Sequence, residues 1–338
     1  MHTIHEVAKL AGVSTATVSH VCNNTRYVSD DLRRKVLDAM AALQYKPNVI
    51  ARGLRGGSLK SIGLVVPDCT NTFFAEIARA VDRVCFSQGY NIILCNTDNN
   101  VQQQSFYIDM LISKQVDGII FISADETDAD IRKCLDFSIP VVVADRDVTD
   151  DSVDNIIVDN ELGAYQAASH LVSCGFSRIA CITGPENIPS SRRRLHGFEK
   201  ALREASVPLP ESYVFTGNFH YSGGRDAFGY FSSLPCKPDA VFACNDMMAL
   251  GFIHTALSSG LRIPSDVSII GFDNTELSTV MSPKLSTVAQ PIEEIAEIAL
   301  RLLLGKIEKT EKRIRKVVLE PRLILRETCG KSVHSASE

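Results

Sequence analysis

Short runs of Val, Ile and Leu recur along most of this 338-residue chain, and a stretch with helical spacing follows each run. This alternation is typical of buried parallel strands connected by helices. The predicted strands are Ile62–Val66, Asn91–Cys95, Gly118–Ile122, Val141–Ala144, Ile156–Val158, Ile179–Ile182, Val241–Ala243 and Val267–Ile270. One open sheet rarely needs so many strands. We therefore predict an α/β body of two lobes, each a doubly wound parallel sheet, with a cleft between them.

The first 46 residues show helical patterns only. Thr3-Ile4-His5-Glu6 forms a capping box, in which the Thr hydroxyl and the Glu carboxylate satisfy free backbone donors at the start of a helix. Gly12 can adopt the left-handed conformation that ends this helix, and Ser14 is placed to cap a second one. A third helix, capped by Ser29, is predicted from the spacing of Leu32, Val36, Met40 and Leu43. The pattern predicts an all-α helix-turn-helix headpiece.

Charge is distributed unevenly between this headpiece and the rest of the chain. The net charge is -5, but residues 1–60 carry nine Lys/Arg against four Asp/Glu, and residues 61–338 carry 26 against 36. A basic segment on an acidic body suits phosphate contacts confined to one end of the molecule. A solvated charged face is the alternative explanation.

The second predicted helix exposes small polar side chains and one imidazole. Such groups suit contacts with base edges in the major groove and with phosphates. A three-helix bundle that binds no DNA is the alternative, because helix pairs joined by a glycine turn also occur without DNA. The exposed face consists of Thr15, Ala16, Thr17, Ser19 and His20.

Two motifs make the comparison with a known family specific. The N-terminus resembles the headpiece of the LacI family, with the pattern T-I-x-x-V-A-x-x-A-G-V-S-x-x-T-V-S-x-V. Residues 45–54 resemble the hinge of that family, with the pattern Y-x-P-N-x-x-A-R-x-L. The resemblance implies that the segment after Pro47 becomes a helix on DNA and that Leu54 wedges a base step open from the minor groove. A plain glycine-rich linker is the alternative. The predicted DNA-binding residues are Thr3, Ser14, Thr15, Ala16, Thr17, Ser19, His20, Asn23, Arg26, Tyr45, Asn48, Ala51, Arg52, Leu54 and Arg55.

Polar and aromatic residues follow the predicted strands of the body. In open α/β sheets, ligands bind beyond the carboxyl ends of the strands, so these residues are candidates for a binding site. Carboxylates, guanidinium groups and amides pair with vicinal hydroxyls, and phenyl rings cover the apolar face of a sugar ring. Taken singly, the residues have structural explanations: a core phenylalanine, a salt bridge between lobes, a helix cap. Together they predict a site for a polyol.

The order of these residues, N-x-F-F, D-R, R, F, N-D, F-D and Q, resembles the pentose site of ribose-binding proteins and of some ribose repressors. The resemblance also implies late crossovers between the lobes near Gln290 and Glu320. By this similarity the effector pocket consists of Asn71, Phe73, Phe74, Asp145, Arg146, Arg192, Phe219, Asn245, Asp273 and Gln290.

Two features leave other effectors open. Some related repressors carry Asp-Trp where this chain has Asp145 and Arg146, and the chain contains no tryptophan, which disfavours a purine. Three successive arginines, Arg192 to Arg194, would suit a phosphorylated sugar. Successive helix residues diverge by about 100°, so a solvated basic edge is the other explanation.

Other classes of function lack their sequence signatures. Glycine motifs of nicotinamide-binding, phosphate-loop and hydrolase enzymes are absent, so we expect no enzyme activity and no cofactor. The ten cysteines form no C-x-x-C pair and the histidines show no metal-ligand spacing, so we expect no metal site. Without a signal peptide or a membrane-spanning run, we expect a cytoplasmic protein that binds no membrane, whereas a transported sugar-binding protein would need a signal peptide.

These observations lead to one functional hypothesis. We expect a transcriptional repressor that grips a palindromic double-stranded DNA operator as a homodimer and is released by a small sugar, with ribose favoured. The tail has no leucine heptads, so no coiled-coil tetramer is expected. The sequence leaves open whether a protein corepressor also binds. The predicted domains are a helix-turn-helix domain (1–46), a hinge (47–59), a two-lobed effector-binding and dimerisation domain (60–330; lobe 1 about 60–160 and 291–320, lobe 2 about 161–290 and 321–330) and a polar tail (331–338).

Overall fold

A computed structural model of the chain describes residues 2–23, 26–45, 59–122, 129–148, 152–311 and 313–330. The side chain of Asn23 is outside this description. The chain divides into two compact units, Met1–Leu59 and Lys60–Glu338, which we call the head and the body. Across the described residues, no helix is both long enough and apolar enough to cross a membrane.

The head contains three helices. They are α1 (Ile4–Ala11), α2 (Thr15–Asn23) and α3 (Asp30–Ala42). The predicted capping box is confirmed, because the Thr3 N–H donates to Glu6 Oε2 at 2.7 Å and the Glu6 N–H donates to Thr3 Oγ1 at 3.4 Å. Gly12 ends α1 with φ at 66°, as predicted, and Ser14 Oγ accepts from the Thr17 N–H at 3.1 Å at the start of α2.

A small apolar core holds these three helices together. Its fully buried members are Val7, Ala8, Val18, Val21, Val36 and Ala39. Two expectations for α3 were wrong. Ser29 stands at the N-cap position but its side chain makes no cap hydrogen bond within the described chain, and Leu32 is exposed rather than buried. The helix start is stabilised instead by Asp30 and Asp31 in the first turn, next to the positive end of the helix dipole.

The first lobe of the body is built on a six-stranded sheet with the order β11-β5-β4-β3-β1-β2, in which all pairs are parallel. Side chains alternate between its faces, as a period of two residues requires. One face packs on α4 and α12 and the other on α5 and α6. Its elements are β1 (Ser61–Val66), α4 (Thr72–Ser87), β2 (Asn91–Asn96), α5 (Val101–Ser113), β3 (Gly118–Ile122), α6 (Ala129–Asp136), β4 (Val141–Ala144), β5 (Asp154–Val158), α12 (Ile292–Ile307) and β11 (Lys316–Leu319).

The second lobe is built on a six-stranded sheet with the order β12-β10-β9-β8-β6-β7. Only the β10–β12 pair is antiparallel among its described pairs. Its elements are α7 (Asn160–Ser173), β6 (Ile179–Thr183), α8 (Pro189–Glu204), a short 3-10 helix (Glu211–Tyr213), β7 (Val214–Thr216), α9 (Tyr221–Ser233), β8 (Ala240–Ala243), α10 (Asp246–Ser258), β9 (Ser268–Asp273), α11 (Leu277–Val280), β10 (Ser286–Ala289) and β12 (Arg322–Ile324). The predicted fold class is confirmed.

The chain passes between the two sheets at three points. These lie at Asp159, between β5 and α7; at Gln290 and Pro291, between β10 and α12; and at residues 320–321, between β11 and β12. All eight strands predicted from apolar runs are present, although β9 continues to Asp273 instead of ending at Ile270. Asp273 is therefore the last residue of β9.

Helix caps and cleft residues coincide at the carboxyl ends of the strands. Asn71 accepts from the Phe73 N–H at the start of α4, and Asn245 accepts from the Met248 N–H at the start of α10. Asn100 and Asp159 cap α5 and α7 in the same way. Asn and Asp are favoured at such positions because their side-chain oxygens satisfy free amides. The turns that carry the candidate site are therefore fixed by local hydrogen bonds.

Candidate functional site: the head surface and the interlobe cleft

The predicted DNA-binding residues of the head lie on its exposed or half-exposed surface. Thr3 and Ser14 cap the two helices of the helix-turn-helix, Arg26 is exposed, and Tyr45 packs partly against the head core. The face of α2 formed by Thr15, Ala16, Thr17, Ser19 and His20 is at least partly open to solvent. Asn48, Ala51, Arg52, Leu54 and Arg55 lie outside the described residues, as does the side chain of Asn23.

A cavity of about 380 Å³ lies in the cleft between the two lobes, at the carboxyl ends of both sheets. Its size is within the range typical of small-molecule sites. Eight of the ten predicted effector-binding residues line it: Asn71, Phe73, Phe74, Asp145, Arg146, Phe219, Asn245 and Asp273. The cavity is thus placed where doubly wound sheets bind ligands.

Asp145 is the buried acid that the first lobe contributes. It follows β4 with φ at 73°, and its backbone N–H donates to Ile156 O at 2.9 Å. Its Oδ1 has no hydrogen-bond partner among the described residues. Burial raises the pKa of this carboxyl, and the charges of Arg194 and Arg146 oppose that rise. A buried acceptor of this kind gains from a ligand that brings hydroxyl donors.

Asp273 is the corresponding acid of the second lobe, and its surroundings are different. Gln290 Nε2 donates to Asp273 Oδ1 at 2.8 Å, and Arg194 Nη1 is 3.7 Å from the same oxygen. Burial raises the pKa of Asp273 well above its usual range, against the attraction of Arg194 and with a further rise from the nearby Asp246. Gln290, which the sequence placed in the pocket, lies behind Asp273 and positions it.

Arg194 of the second lobe lines the cavity together with Arg146 of the first lobe, whereas Arg192 does not line it. Arg194 is buried, its Nε donates to Asn160 Oδ1 at 2.7 Å, and its guanidinium carbon lies 3.7 Å from the centre of the Phe272 ring. Arg192, which the sequence placed in the pocket, is exposed, donates to Glu186 O and is not among the residues that line the cavity. The phase of α8 explains the difference: Arg194 stands four residues before the buried Phe198, on the same helix face.

Aromatic rings form the apolar part of the cavity. Phe73 and Phe74 come from the start of α4, with ring centres 5.3 Å apart in an edge-on arrangement. Phe219 lies across the cleft at φ 63°, and its ring packs over Gly184, where a Cβ would come within 2.2 Å of the ring. Phe73 belongs both to the core of the first lobe and to the lining of the cavity.

Several cavity residues were not predicted. They come from loops and from the N-terminal parts of α5 and α8, which are distant in the sequence and meet only when both lobes have folded. The signal for Arg194 was available in the helical phase of α8, whereas the loop residues carry no comparable pattern. They are Pro67, Asp68, Thr97, Asn99, Asn100, Val101, Gln104, Pro185, Asn187, Ile188, Ser190, Arg194, Asn218 and His220.

Direct contacts join the two lobes around the cavity. Arg193 Nη2 lies 2.6 Å from Asp147 Oδ2, and His220 Nδ1 lies 3.6 Å from Asp68 Oδ2. In addition, the backbone N–H of Glu276 donates to Glu76 Oε1 at 2.7 Å. Polar contacts of this kind rearrange easily in water, which suits a cleft that opens and closes.

Two family models match the chain. Residues 3–48 match the model for bacterial regulatory proteins of the lacI family, and residues 168–329 match a periplasmic binding protein-like domain. The first match covers the described helices of the head, and the second covers most of the second lobe.

Similar full-length proteins are transcriptional repressors. The HTH-type transcriptional repressor PurR of Vibrio vulnificus (strain CMCP6) is 39% identical over 333 residues, 98% of this chain and 99% of that protein. The ribose operon repressor of Escherichia coli (strain K12) is 37% identical over 328 residues, 96% of this chain and 99% of that protein. The crystal structure of the lac repressor dimer bound to operator and the anti-inducer ONPF matches with a TM-score of 0.85 and 29% identity, covering 97% of this chain and 98% of that one. This chain therefore belongs to the LacI family of DNA-binding transcriptional repressors, which are not enzymes.

Proposed function

We propose that this repressor senses ribose in the interlobe cleft and releases a palindromic operator when the sugar binds. The observation that carries the proposal is the arrangement of Asp145 and Asp273, one from each lobe, with Arg194 acting on both. The two acids accept from sugar hydroxyls, the guanidinium donates to them, and the phenyl rings cover the C–H face of the ring. One small polyol thereby contacts both lobes at once.

The pocket chemistry favours a neutral sugar over a purine. The relatives include both a PurR and a ribose operon repressor at similar identity, so the names alone do not separate the two effectors. The chain contains no tryptophan, whereas repressors with Asp-Trp at the positions of Asp145 and Arg146 have a flat indole to stack on a base. The cavity instead has carboxylates, amides and guanidinium groups around small aromatic rings. This mixture matches a polyol.

A phosphorylated sugar fits less well than ribose. Of the three successive arginines in α8, only Arg194 lines the cavity. Asp68, Asp145 and Asp273 line the same space. A phosphate would bring a second negative charge close to these carboxylates, and like charges in a poorly solvated site repel strongly.

Ribose acts by changing the equilibrium between open and closed lobes. The lac repressor match is a dimer on its operator, and two heads about one helical turn apart suit a palindrome, so we propose that this chain works as a homodimer in the cytoplasm. Sugar bound by both lobes favours their closed arrangement, and the resulting rotation of one lobe separates the paired hinge segments, residues 47–59. Operator affinity then falls.

Calorimetry on the full chain tests the effector. Ribose, ribose 5-phosphate and hypoxanthine are titrated separately, and we expect saturable binding of ribose alone. Binding of hypoxanthine in place of ribose would overturn the sugar assignment. A parallel operator titration tests the direction of the response, since added ribose should weaken operator binding. Unchanged or tighter operator binding would contradict induction.

A hinge variant tests the DNA contact separately. Leu54→Ala should weaken operator binding because a side chain that wedges a base step is lost, while ribose affinity stays unchanged. Ile50→Ala, a neighbouring apolar residue of the same segment, is the matched control. Equal operator affinity for Leu54→Ala and the wild type would show that Leu54 does not act as a wedge.

A further inference from the structure

Three soft metal ligands lie together in the second lobe, outside the residues that line the cleft cavity. His170 belongs to the last turn of α7, Cys174 is the C-cap of the same helix, and Cys329 follows β12. One ligand atom from each residue lies within 4.8 Å of the other two. Cys174 Sγ is 3.5 Å from His170 Nε2.

The fold fixes the positions of these residues. His170 and Cys174 are four residues apart, so their side chains share one face of the helix. The neighbour of Cys329, Thr328, is fully buried: its Oγ1 donates to Ile269 O at 2.8 Å and accepts from the Ser286 N–H at 2.8 Å. Two ligands therefore lie on a helix, and the third follows a residue anchored by two hydrogen bonds, which favours a preformed metal site.

We propose that His170, Cys174 and Cys329 bind a thiophilic divalent cation of the Zn²⁺ type, with a fourth position open to water or another ligand. Zinc–sulfur and zinc–nitrogen bond lengths in a tetrahedral site place the sulfur about 3.6 Å from the nitrogen and two sulfurs about 3.8 Å apart. The observed Sγ–Nε2 distance of 3.5 Å matches the first value. All three residues are half-buried, which leaves one side of the cluster accessible.

The electrostatic surroundings suit a cation. The cluster lies at the C-terminus of α7, where the helix dipole presents its negative end. Two cysteine sulfurs and one imidazole nitrogen are soft ligands that prefer zinc to magnesium or calcium.

The sequence pattern gave no sign of this site. No C-x-x-C pair is present, and the third ligand is separated from the other two by nearly the whole second lobe. Bound metal would tie the segment after β12 to α7. Asn160, at the other end of α7, holds Arg194 of the cleft, so the site stabilises a helix that reaches the effector pocket. The metal site is independent of the effector's identity.

Cadmium is a direct probe of the site. The full chain, reduced and freed of metal, is titrated with Cd²⁺ while thiolate-to-metal absorption is recorded. We expect saturation at one Cd²⁺ per chain and a higher Tm with the metal bound, because a ligand that binds only the folded state stabilises it. In the wild type, Cd²⁺ should protect Cys174 and Cys329 from alkylation while Cys69 and Cys236, which are exposed, stay reactive.

Variants assign the signal to individual ligands. Cys174→Ser and Cys329→Ser should each weaken Cd²⁺ binding at least about 10-fold, and His170→Gln should weaken it as well. Cys236→Ser removes an exposed thiol elsewhere and should bind Cd²⁺ like the wild type. The alkylation pattern of the wild type needs no variant, so the proposal stays testable if a variant misfolds.

Three results would overturn the proposal. The first is absence of saturable binding in the wild type. The second is an undiminished signal in the Cys174→Ser/Cys329→Ser double variant, which would place the metal on other thiols. The third is a rapid Cys174–Cys329 disulfide that forms in air even with Cd²⁺ present, which would identify the cluster as a redox pair instead.

Discussion

Each lobe contributes one buried aspartate to the cleft, but the two aspartates differ in their hydrogen-bond partners. In the second lobe, Asp273 accepts from Gln290, lies beside Arg194 and stands at the end of a strand. In the first lobe, Asp145 follows its strand, and its Oδ1 is buried without a hydrogen-bond partner in the described chain. Both acids have a positive φ, 73° for Asp145 and 120° for Asp273, so the difference lies in their hydrogen bonds. Asp273 thus has its hydrogen-bond partner without a ligand, whereas we expect Asp145 to gain one from the ligand.

This asymmetry favours an order of events for effector binding. We expect a ligand to dock first on the second lobe, where little reorganisation is needed. The unsatisfied carboxylate of the first lobe then gains its partner only when the cleft closes on the ligand. Occupancy of the cleft by the ligand thereby adds free energy that favours closure. A ligand shifts a two-state equilibrium only through such a difference in free energy between the two states.

The largest effect is expected from Arg194→Met. The variant removes a cation that opposes two buried acids, Asp145 and Asp273. We expect ribose affinity to fall by at least about 100-fold and the free energy of unfolding to fall by about 3 kcal/mol, because a buried charge left without its partner is costly. Calorimetry and urea unfolding measure the two quantities.

Arg192→Met is the matched control for this experiment. Arg192 lies on the same helix, two residues earlier, but on the exposed face. Its substitution should change both quantities little, since exposed substitutions usually cost less than about 0.5 kcal/mol. If Arg192→Met abolished ribose binding and Arg194→Met did not, the assignment of the cavity guanidinium would be reversed.

The next prediction compares the two acids directly. Asp145→Asn and Asp273→Asn should both weaken ribose binding by about 10- to 100-fold, the range for one hydrogen bond to a charged group. Their stabilities should diverge. Asp145→Asn removes a buried charge whose Oδ1 has no hydrogen-bond partner in the described chain, so Tm should be unchanged or raised. Asp273→Asn leaves Arg194 without the carboxylate that lies 3.7 Å from it and should lower Tm.

Thermal unfolding of both variants without sugar settles the comparison. A similar loss of Tm in both would show that Asp145 is as well supported as Asp273. A rise of Tm in both variants would show that neither acid is needed to compensate the charge of Arg194.

The third prediction concerns pH. Asp246 is fully buried, and burial raises its pKa to about 6 despite hydrogen bonds from Thr275 and Thr287. A carboxyl with a raised pKa in the folded state binds its proton more tightly there, so its contribution to stability is full below the ordinary value of 3.8. That contribution is lost as pH rises to about 6. Asp145 and Asp273 act in the same direction.

Urea unfolding of the sugar-free protein across this pH interval measures the effect. We expect stability to decrease with rising pH in the wild type and to decrease less in Asp246→Asn. Because the charge of Asp246 raises the pKa of Asp273 more than the charge of Asp145 does, Asp145→Asn should flatten the profile less than Asp246→Asn does. An increase of stability over the same interval would contradict the raised pKa values.

The sequence predicted most of the fold, because the signals that define it are local. Buried parallel strands need continuous apolar runs, and all eight predicted runs became strands. The edge strands β11 and β12 were missed, since they are only four and three residues long. Ser29 failed as a cap because its side chain does not turn toward the free amides of α3.

The cleft was predicted in part, for a different reason. Residues directly after strands, such as Asp145 and Asn245, are located by topology alone. The side of a helix that faces the cleft depends on its phase, and the choice of Arg192 over Arg194 ignored the apolar spacing that follows in α8. Gln290 was placed correctly after β10, but it donates a hydrogen bond to Asp273 and does not line the cavity.

The smallest expected effect comes from the rim of the cleft. Arg193 of the second lobe pairs with Asp147 of the first, and Asp147 also lies 2.6 Å from Lys316 within its own lobe. Arg193→Gln removes a contact between lobes while Asp147 keeps a cation. Because partly exposed ion pairs contribute about 0 to 1 kcal/mol, ribose affinity should fall by no more than about five-fold. Arg178→Gln, which breaks a pair with Asp239 inside the second lobe, should leave ribose affinity unchanged. A loss as large as that of Arg194→Met would mean that rim contacts, and not the two unequally prepared acids, control closure.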